Sequence, residues 1–289
     1  MSCPGDSKEV VDGRITALEG ELHRVRAERD ALVMQNEKMN RERVEYLQNV
    51  AHQLVAPLHA IKWHIENLMQ GRIKSSDRAT KVFRSVYSQA TIAVHLAKNF
   101  VFMSNLEADH SLASLREPLE PLEIDRLLVN LADDFQPLGW SRNINIRVDV
   151  PSFDAVPDVL AIKPLISQVF SNLIENAVKY SESDTTVEIR GRYEPSADAV
   201  TITISSRGVP ISPDDAERIF ERGVRTQEAA DAYPAGTGFG LYIAKKIIEI
   251  HEGAIRVVVP SPRLSHFQVV LYPRRLQGKA REWPKRRSS

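Results

Sequence analysis

From Ile15 onward, apolar residues return every seven positions in two interleaved series: Ile15, Leu22 and Val50 on one, and Leu18, Val25, Leu32, Met39 and Tyr46 on the other. A seam of this kind suits a second helix, which is the pattern of a coiled coil. Asn36 falls on the first series, where a buried asparagine favours a two-stranded register at a cost in stability, while Arg29 and Arg43 on the same series weaken the seam. A parallel homodimer satisfies the pattern; a lone amphipathic helix packed on another domain is the alternative. The helix is predicted to run unbroken into HQLVAPL (residues 52–58) and on to Gly71, where a polar stretch over 74–77 ends it. A second helix follows over 77–107, with Val82, Phe83, Val86, Ala90, Ala93, Val94, Ala97, Phe100, Val101 and Leu106 on its apolar side. Two helices enclose no core alone, whereas two hairpins from two chains make a four-helix bundle, so burial also requires the dimer.

The 289 residues, 43% hydrophobic, suffice for two ordinary domains. Lys plus Arg equals Asp plus Glu at 38 each, so no overall charge draws the chain to nucleic acid or a membrane. The single cysteine, Cys3, makes no intramolecular disulfide, which fits a reducing compartment. No apolar run reaches the roughly 20 residues of a membrane span and the first residues are no signal peptide, so a cytoplasmic location is expected.

Beyond a linker at 110–121 the pattern changes to alternating strands and helices. Helices are predicted over 123–135, 162–180 and 238–250, and strands over 143–150, 186–191, 200–205, 254–259 and 267–272. Mixed elements without a regular parallel repeat predict a two-layer α/β sandwich. The fold class is therefore α+β: a helical hairpin forming a dimeric four-helix bundle, then the sandwich. The tail over 274–289 carries seven Lys/Arg against one Glu and reads as a solvated, disordered segment rather than a nucleic-acid or membrane contact.

Three polar clusters carry the chemistry. In the first, His52 is one of eight histidines and is singled out by its neighbours. On the heptad count Val50 and Gln53 face the bundle, leaving His52 on the outer surface with a ring nitrogen available as a nucleophile. Pro57, five residues on, removes a backbone donor beside it. The second, NLIENAVKY (residues 172–180), puts the amides of Asn172 and Asn176 on one face of a helix. A neutral amide oxygen suits hydrated magnesium already held by phosphates. The third, GTGFGL (residues 236–241), places Gly236, Gly238 and Gly240 before the apolar helix LYIAKKIIEI, where bare backbone amides and the helix dipole suit a polyphosphate. The spacing GxGxG and the lack of a preceding strand do not fit dinucleotide binding.

These clusters, in this order, resemble the sensor histidine kinases of two-component systems, across residues 44–272. The resemblance implies a dimerisation and phosphoacceptor domain over 44–109 and a GHKL-type (Bergerat) ATP-binding domain over 122–273. A signalling coiled coil over 15–43 and a disordered start over 1–14 precede them. It implies ATP and Mg2+ as cofactors and His52 as phosphate acceptor. Asn176 would be the magnesium ligand, Asn172 and Lys179 would approach the phosphates, and Tyr180 would pack near adenine. Gly236, Thr237, Gly238, Gly240 and Leu241 would form the phosphate-binding turn. RIFERGVR (residues 218–225) resembles the family's Phe box, with Phe220 a packing anchor and Arg225 a phosphate or lid contact; residues 223–234 would be a lid. The implied partners are a second copy of the chain and the receiver domain of a response regulator.

Two departures stand inside the resemblance. The family places Asp or Glu directly after the histidine; this chain has Gln53, which hydrogen-bonds but takes no proton. Ala56 stands where relatives with phosphatase activity carry Thr or Asn. Slow autophosphorylation is expected, and dephosphorylation by the usual route is not. At SSRGVPIS (residues 205–212) the family has DxGxGI, its Asp binding the adenine amino group; here Ser206, Gly208 and Pro210 stand instead, and Ser206 would reach adenine only through water. The leading expectation is a protein-histidine kinase that passes phosphate from His52 to a regulator aspartate. The competing one is a degenerate kinase serving as a dimeric phosphotransfer or scaffold protein. An ATPase clamp of the same nucleotide fold is a third, disfavoured by HQLVAPL beside a dimerising helix.

Overall fold

The structure, a computed structural model, describes residues 6–72, 75–108, 118–234 and 236–273. It divides into two compact units, residues 1–51 and 52–289. The first is helical through its described residues, all within helix α1 (Asp6–Met69). Leu22, Val25 and Leu32 of the seam are 49%, 60% and 65% exposed, an apolar stripe open to solvent in a single chain. The side chains of Ile15, Leu18, Met39, Arg43 and Tyr46 fall outside the described residues, as do residues 110–117 of the expected linker and the basic tail.

In the second unit α1 continues from His52 through Pro57, whose missing N–H does not end the helix. Gly71, at φ +66°, lets the Arg72 N–H reach back to the Asn67 carbonyl at 3.1 Å, a Schellman-type cap that stops it. Helix α2 (Ser76–Ala108) starts where the Ser75 hydroxyl accepts from the Arg78 N–H at 3.3 Å. The hairpin is as expected, but α2 has a second face. Phe83, Val94 and Val101 of the predicted apolar side are exposed, whereas His95, Leu96, Asn99, Phe102 and Met103 are buried. That second face packs on the C-terminal domain. Two of its buried positions are polar, which hides it from an apolar count.

The domain begins with strand β1 (Glu120–Leu122), which starts inside the expected linker, followed by α3 (Ile124–Gly139), β2 (Asn145–Val148), β3 (Val159–Ala161) and α4 (Lys163–Tyr180). Next come β4 (Thr186–Glu194), β5 (Ala199–Arg207), the short helices α5 (Asp215–Arg218) and α6 (Gln227–Ala232), α7 (Gly240–Ile250), β6 (Ala254–Ser261) and β7 (Leu264–Leu271). β1 and β3 pair antiparallel, and the main sheet has the order β2-β4-β5-β7-β6 with only β2–β4 parallel. Alternation decides which face is covered: Val187, Ile189, Val200, Ile202, Ile204, Phe267, Val269 and Leu271 are buried under the helices α3, α4 and α7. The opposite face carries charge, with Arg190 3.2 Å from both Asp149 and Glu188. The result is the predicted two-layer sandwich with a five-stranded sheet. No helix among the described residues is long and apolar enough to cross a membrane.

Candidate functional site

Helix α4 is the spine of the site, and its rotation is fixed by packing. Ile166, Val169, Phe170, Leu173 and Ile174 are essentially inaccessible to solvent, each contributing about 1.5–3 kcal/mol on burial. Turning the helix by one residue would expose several of them, so Asn172, Asn176 and Lys179 are held on the remaining face. That face forms one wall of a cavity of about 120 Å³. The same cavity is lined by Tyr180, Ser206, Gly208, Arg225, Gly236, Thr237, Gly238, Gly240 and Leu241, so the structure gathers almost every residue singled out in the sequence.

Two glycines are required by close approach. A Cβ on Gly208 would lie 1.8 Å from the Tyr180 carbonyl oxygen, which itself accepts from the Val209 N–H at 2.9 Å. Gly238 has φ +72°, and a Cβ there would fall 2.8 Å from the Gly223 backbone. Helix α7 starts at Gly240, two residues later than predicted, because Phe239 supplies the first carbonyl to the Ile243 N–H at 2.8 Å. The N–H groups of its first turn have no acceptor within the helix and mark the end suited to anionic oxygens.

The two asparagines of α4 differ sharply. Asn172 is 2% exposed, and its amide oxygen accepts from His95 Nε2 at 3.0 Å and from Asn99 Nδ2 at 3.0 Å. Asn176 is half-buried on the cavity wall, and no hydrogen bond engages its amide among the described residues. It is therefore the residue whose oxygen is available to a magnesium ion carried in by phosphates. No three His, Cys, Asp or Glu side chains among the described residues come together as an independent metal cage.

Between the asparagines sits Glu175, which sequence reading passed over. Its carboxylate lies 2.6 Å from Lys179 Nζ and 3.0 Å from His95 Nε2. Burial alone would push this carboxyl up; Lys179 and His95 outweigh it and hold it at about 2. Burial likewise opposes the charge on Lys179, and Glu175 reverses that, raising the ammonium above its ordinary value. Lys179 thus stays cationic in the cavity, with Nζ also 4.9 Å from the Tyr233 ring centre.

At the sheet end of the cavity, Ser206 Oγ lies 3.2 Å from Ser265 Oγ, and both residues are 8% exposed. Ser265, on β7, comes to the site only through strand pairing, opposite Ser206, so nothing local in the sequence marks it. The lid segment is partly helical. The Thr226 hydroxyl caps α6 by accepting from the Ala229 N–H at 3.2 Å, and the Arg225 guanidinium donates to the carbonyls of Ala229 (3.0 Å), Pro234 (3.0 Å) and Tyr233. Those bonds make Arg225 a lid contact in this state.

Of three further residues, only Gln53 departs from its expected place. Phe220 is buried but does not line the cavity; its ring meets Phe267 edge-on at 6.2 Å, as a packing anchor. His52 is exposed on α1, as expected, and does not line the cavity either. Gln53, assigned to the bundle face by the heptad count, is half-buried and lies on the cavity wall. One residue along a helix turns about 100°, so the residue after the histidine faces the cavity while the histidine stays in solvent.

The family described as histidine kinase-, DNA gyrase B-, and HSP90-like ATPase matches residues 161–275. Histidine protein kinase SaeS of Staphylococcus epidermidis is 29% identical over 220 residues, covering 75% of this chain and 59% of SaeS. Sensor protein kinase WalK of Staphylococcus aureus is 28% identical over 223 residues, covering 77% of this chain and 52% of WalK. The chain therefore spans little more than half the length of these curated relatives. Full-length ShkA, in its crystal structure with AMPPNP, shares the fold with a TM-score of 0.51 at 22% identity, over 78% of this chain and 45% of that one. Residues 161–275 thus form an ATPase domain of this family, and about three quarters of the chain is similar to histidine protein kinases.

Proposed function

We propose that the protein is a homodimeric histidine kinase that binds Mg-ATP in the cavity beside α4, transfers the γ-phosphoryl group to His52, and passes it to an aspartate of a response-regulator receiver domain. The observation that carries this reading is the convergence of α4 (Asn172, Asn176, Lys179, Tyr180) with the glycine turn 236–241 on one cavity, in a chain whose exposed His52 adjoins a wall residue of that cavity, Gln53. Bound magnesium would neutralise phosphate charge, with the Asn176 oxygen as its protein ligand. Lys179, kept cationic by Glu175, would bind phosphate oxygens, and the first turn of α7 would hold others. His52 would supply the nucleophile: its nitrogen bonds to phosphorus as the bond to the ADP oxygen breaks. Gln53 would orient the acceptor through a hydrogen bond without taking a proton.

The exposed apolar faces support dimerisation. Leu22, Val25 and Leu32 on the first part of α1, and Val55, Leu58, Ile65, Phe83, Val94 and Val101 on the hairpin, are all at least 43% exposed. A second copy is the natural cover for such faces. The proposed boundaries are a signalling coiled coil over 15–43, the phosphoacceptor hairpin over 44–109 and the ATP-binding domain over 122–273, working in the cytoplasm.

Incubation with Mg2+ and γ-labelled ATP tests this. The parent should acquire acid-labile, base-stable label, and both His52→Ala and Asn176→Ala should lose it. The competing reading, a phosphotransfer or scaffold protein, is favoured by the uncharged Gln53 and the Ser206–Ser265 pair. A folded parent that binds Mg-ATP and takes no label decides for it.

A further inference from the structure

The hydrogen bonds of the Asn172 amide come from outside its own domain. Its amide oxygen receives one hydrogen bond from His95 and one from Asn99, each at 3.0 Å, and its amide nitrogen donates to Asn99 Oδ1 at 3.2 Å. Two lone pairs and one of two protons are therefore engaged by α2, the second arm of the hairpin. Gln168 Nε2 donates to the same Asn99 oxygen, and His95 Nε2 also reaches Glu175 at 3.0 Å. All five side chains are at least 92% buried (His95 3%, Asn99 8%, Gln168 5%, Asn172 2% and Glu175 5% exposed). A fully connected buried network defines one arrangement sharply, because breaking any member leaves unpaired polar atoms behind.

The cavity reflects the same contact. Leu96 and Asn99 of α2 stand in its wall. This cavity of about 120 Å³ adjoins one of about 1090 Å³ that shares Lys179, Tyr180, Gly208, Val209 and Pro210 and is walled by Ser85, Ser88 and Ile92 of α2. Helix α2 thus both occupies a polar group of the proposed nucleotide site and stands in its wall.

We propose that α2 is an internal competitor of the nucleotide: His95 and Asn99 latch Asn172 in a closed state, and nucleotide binding and latching exclude one another. This rests on the nucleotide reading of the cavity. The latch turns the position of α2 into nucleotide affinity, and by linkage a bound nucleotide favours the unlatched hairpin to the same degree. The direction is what separates a latch from a support. If His95 and Asn99 merely positioned Asn172 for the nucleotide, removing them would weaken binding; as competitors, removing them strengthens it.

The test measures affinity of the full chain for the Mg2+ complex of a non-hydrolysable ATP analogue by calorimetry, in the parent and two variants. Asn99→Ala removes the centre of the latch. Arg84→Ala/Tyr87→Phe loosens α2 through the Arg84–Trp140 stacking at 4.3 Å and the bond from the Tyr87 hydroxyl to Asp134 at 2.8 Å, and leaves every residue lining the 120 Å³ cavity intact. Asn99→Ala is expected to tighten binding roughly tenfold and the double variant about threefold, as expected for losing one or two net hydrogen bonds or a surface contact. In the parent, nucleotide should speed hydrogen exchange over residues 88–103 of α2, a change that a purely structural role would not produce. Weaker or unchanged affinity in the double variant overturns the latch while leaving the nucleotide reading in place. Absence of binding in all three proteins, each folded by circular dichroism, overturns the nucleotide reading and the latch with it.

Discussion

At the scale of single residues, the structure separates groups that hold the domain from groups that face the cavity. His251 belongs to the first kind. It is 3% exposed; its Nε2 accepts from the Ile162 N–H at 3.1 Å, so Nδ1 carries the proton and donates to the Ile247 carbonyl at 2.8 Å. Burial lowers its pKa below the ordinary 6.5, against a smaller opposing effect of the Ile247 carbonyl. A depressed folded value means the stabilisation is fully present above about pH 6.5 and is lost as the pH falls through the folded value. Urea unfolding of the parent should therefore weaken on acidification below pH 6.5. His251→Leu should be less stable at neutral pH by about 1–3 kcal/mol and should lack that part of the slope; equal slopes would sink the assignment. Gly208 gives a steric counterpart. Gly208→Ala places a Cβ 1.8 Å from the Tyr180 carbonyl oxygen and should cost about 1–3 kcal/mol, read as a lower unfolding midpoint and weaker nucleotide binding. A parent-like variant would contradict the packing described here.

Among the elements, the helices that bear motifs were the readable part. NLIENAVKY declares its two faces within nine residues, and GTGFGL meets its helix directly, so α4 and α7 needed no long-range information. The parts that escaped are those that exist only through distant partners. β1 and β3 are three-residue strands that pair across α3 and β2, Ser265 meets Ser206 across a strand ladder, and α2 docks through polar His95 and Asn99. In each case local composition says loop or surface, and tertiary pairing overrides it. Helix α1 offers an element-scale test. Gly20 lies inside the helix, and a Cβ added there would meet nothing within 4 Å, so Gly20→Ala should stabilise the helix by about 0.5–1 kcal/mol. Conversely, Val25→Asp/Leu32→Asp places two carboxylates on the exposed stripe and should shift the protein from dimer to monomer in sedimentation at micromolar concentration. A dimer of unchanged strength would show that the stripe is not the seam.

For the whole molecule, the proposed phosphoacceptor hairpin meets the proposed nucleotide site through Gln53 on the cavity wall and α2 on α4. The order of the three clusters in the sequence was enough to suggest this chemistry. The contact by which the hairpin engages Asn172 was not, because its donors come from a helix 73 and 77 positions away in sequence. Gln53 and Ser206, the two departures from the resembled pattern that line the cavity, leave it open. The most direct measurement is phosphoryl mapping: the full chain is incubated with Mg-ATP, digested near neutral pH, and its peptides are sequenced by mass spectrometry. Phosphohistidine at His52, with His59 and His64 unmodified, is the predicted result. A phosphoryl group on another histidine, or none on a protein that binds Mg-ATP, would contradict it.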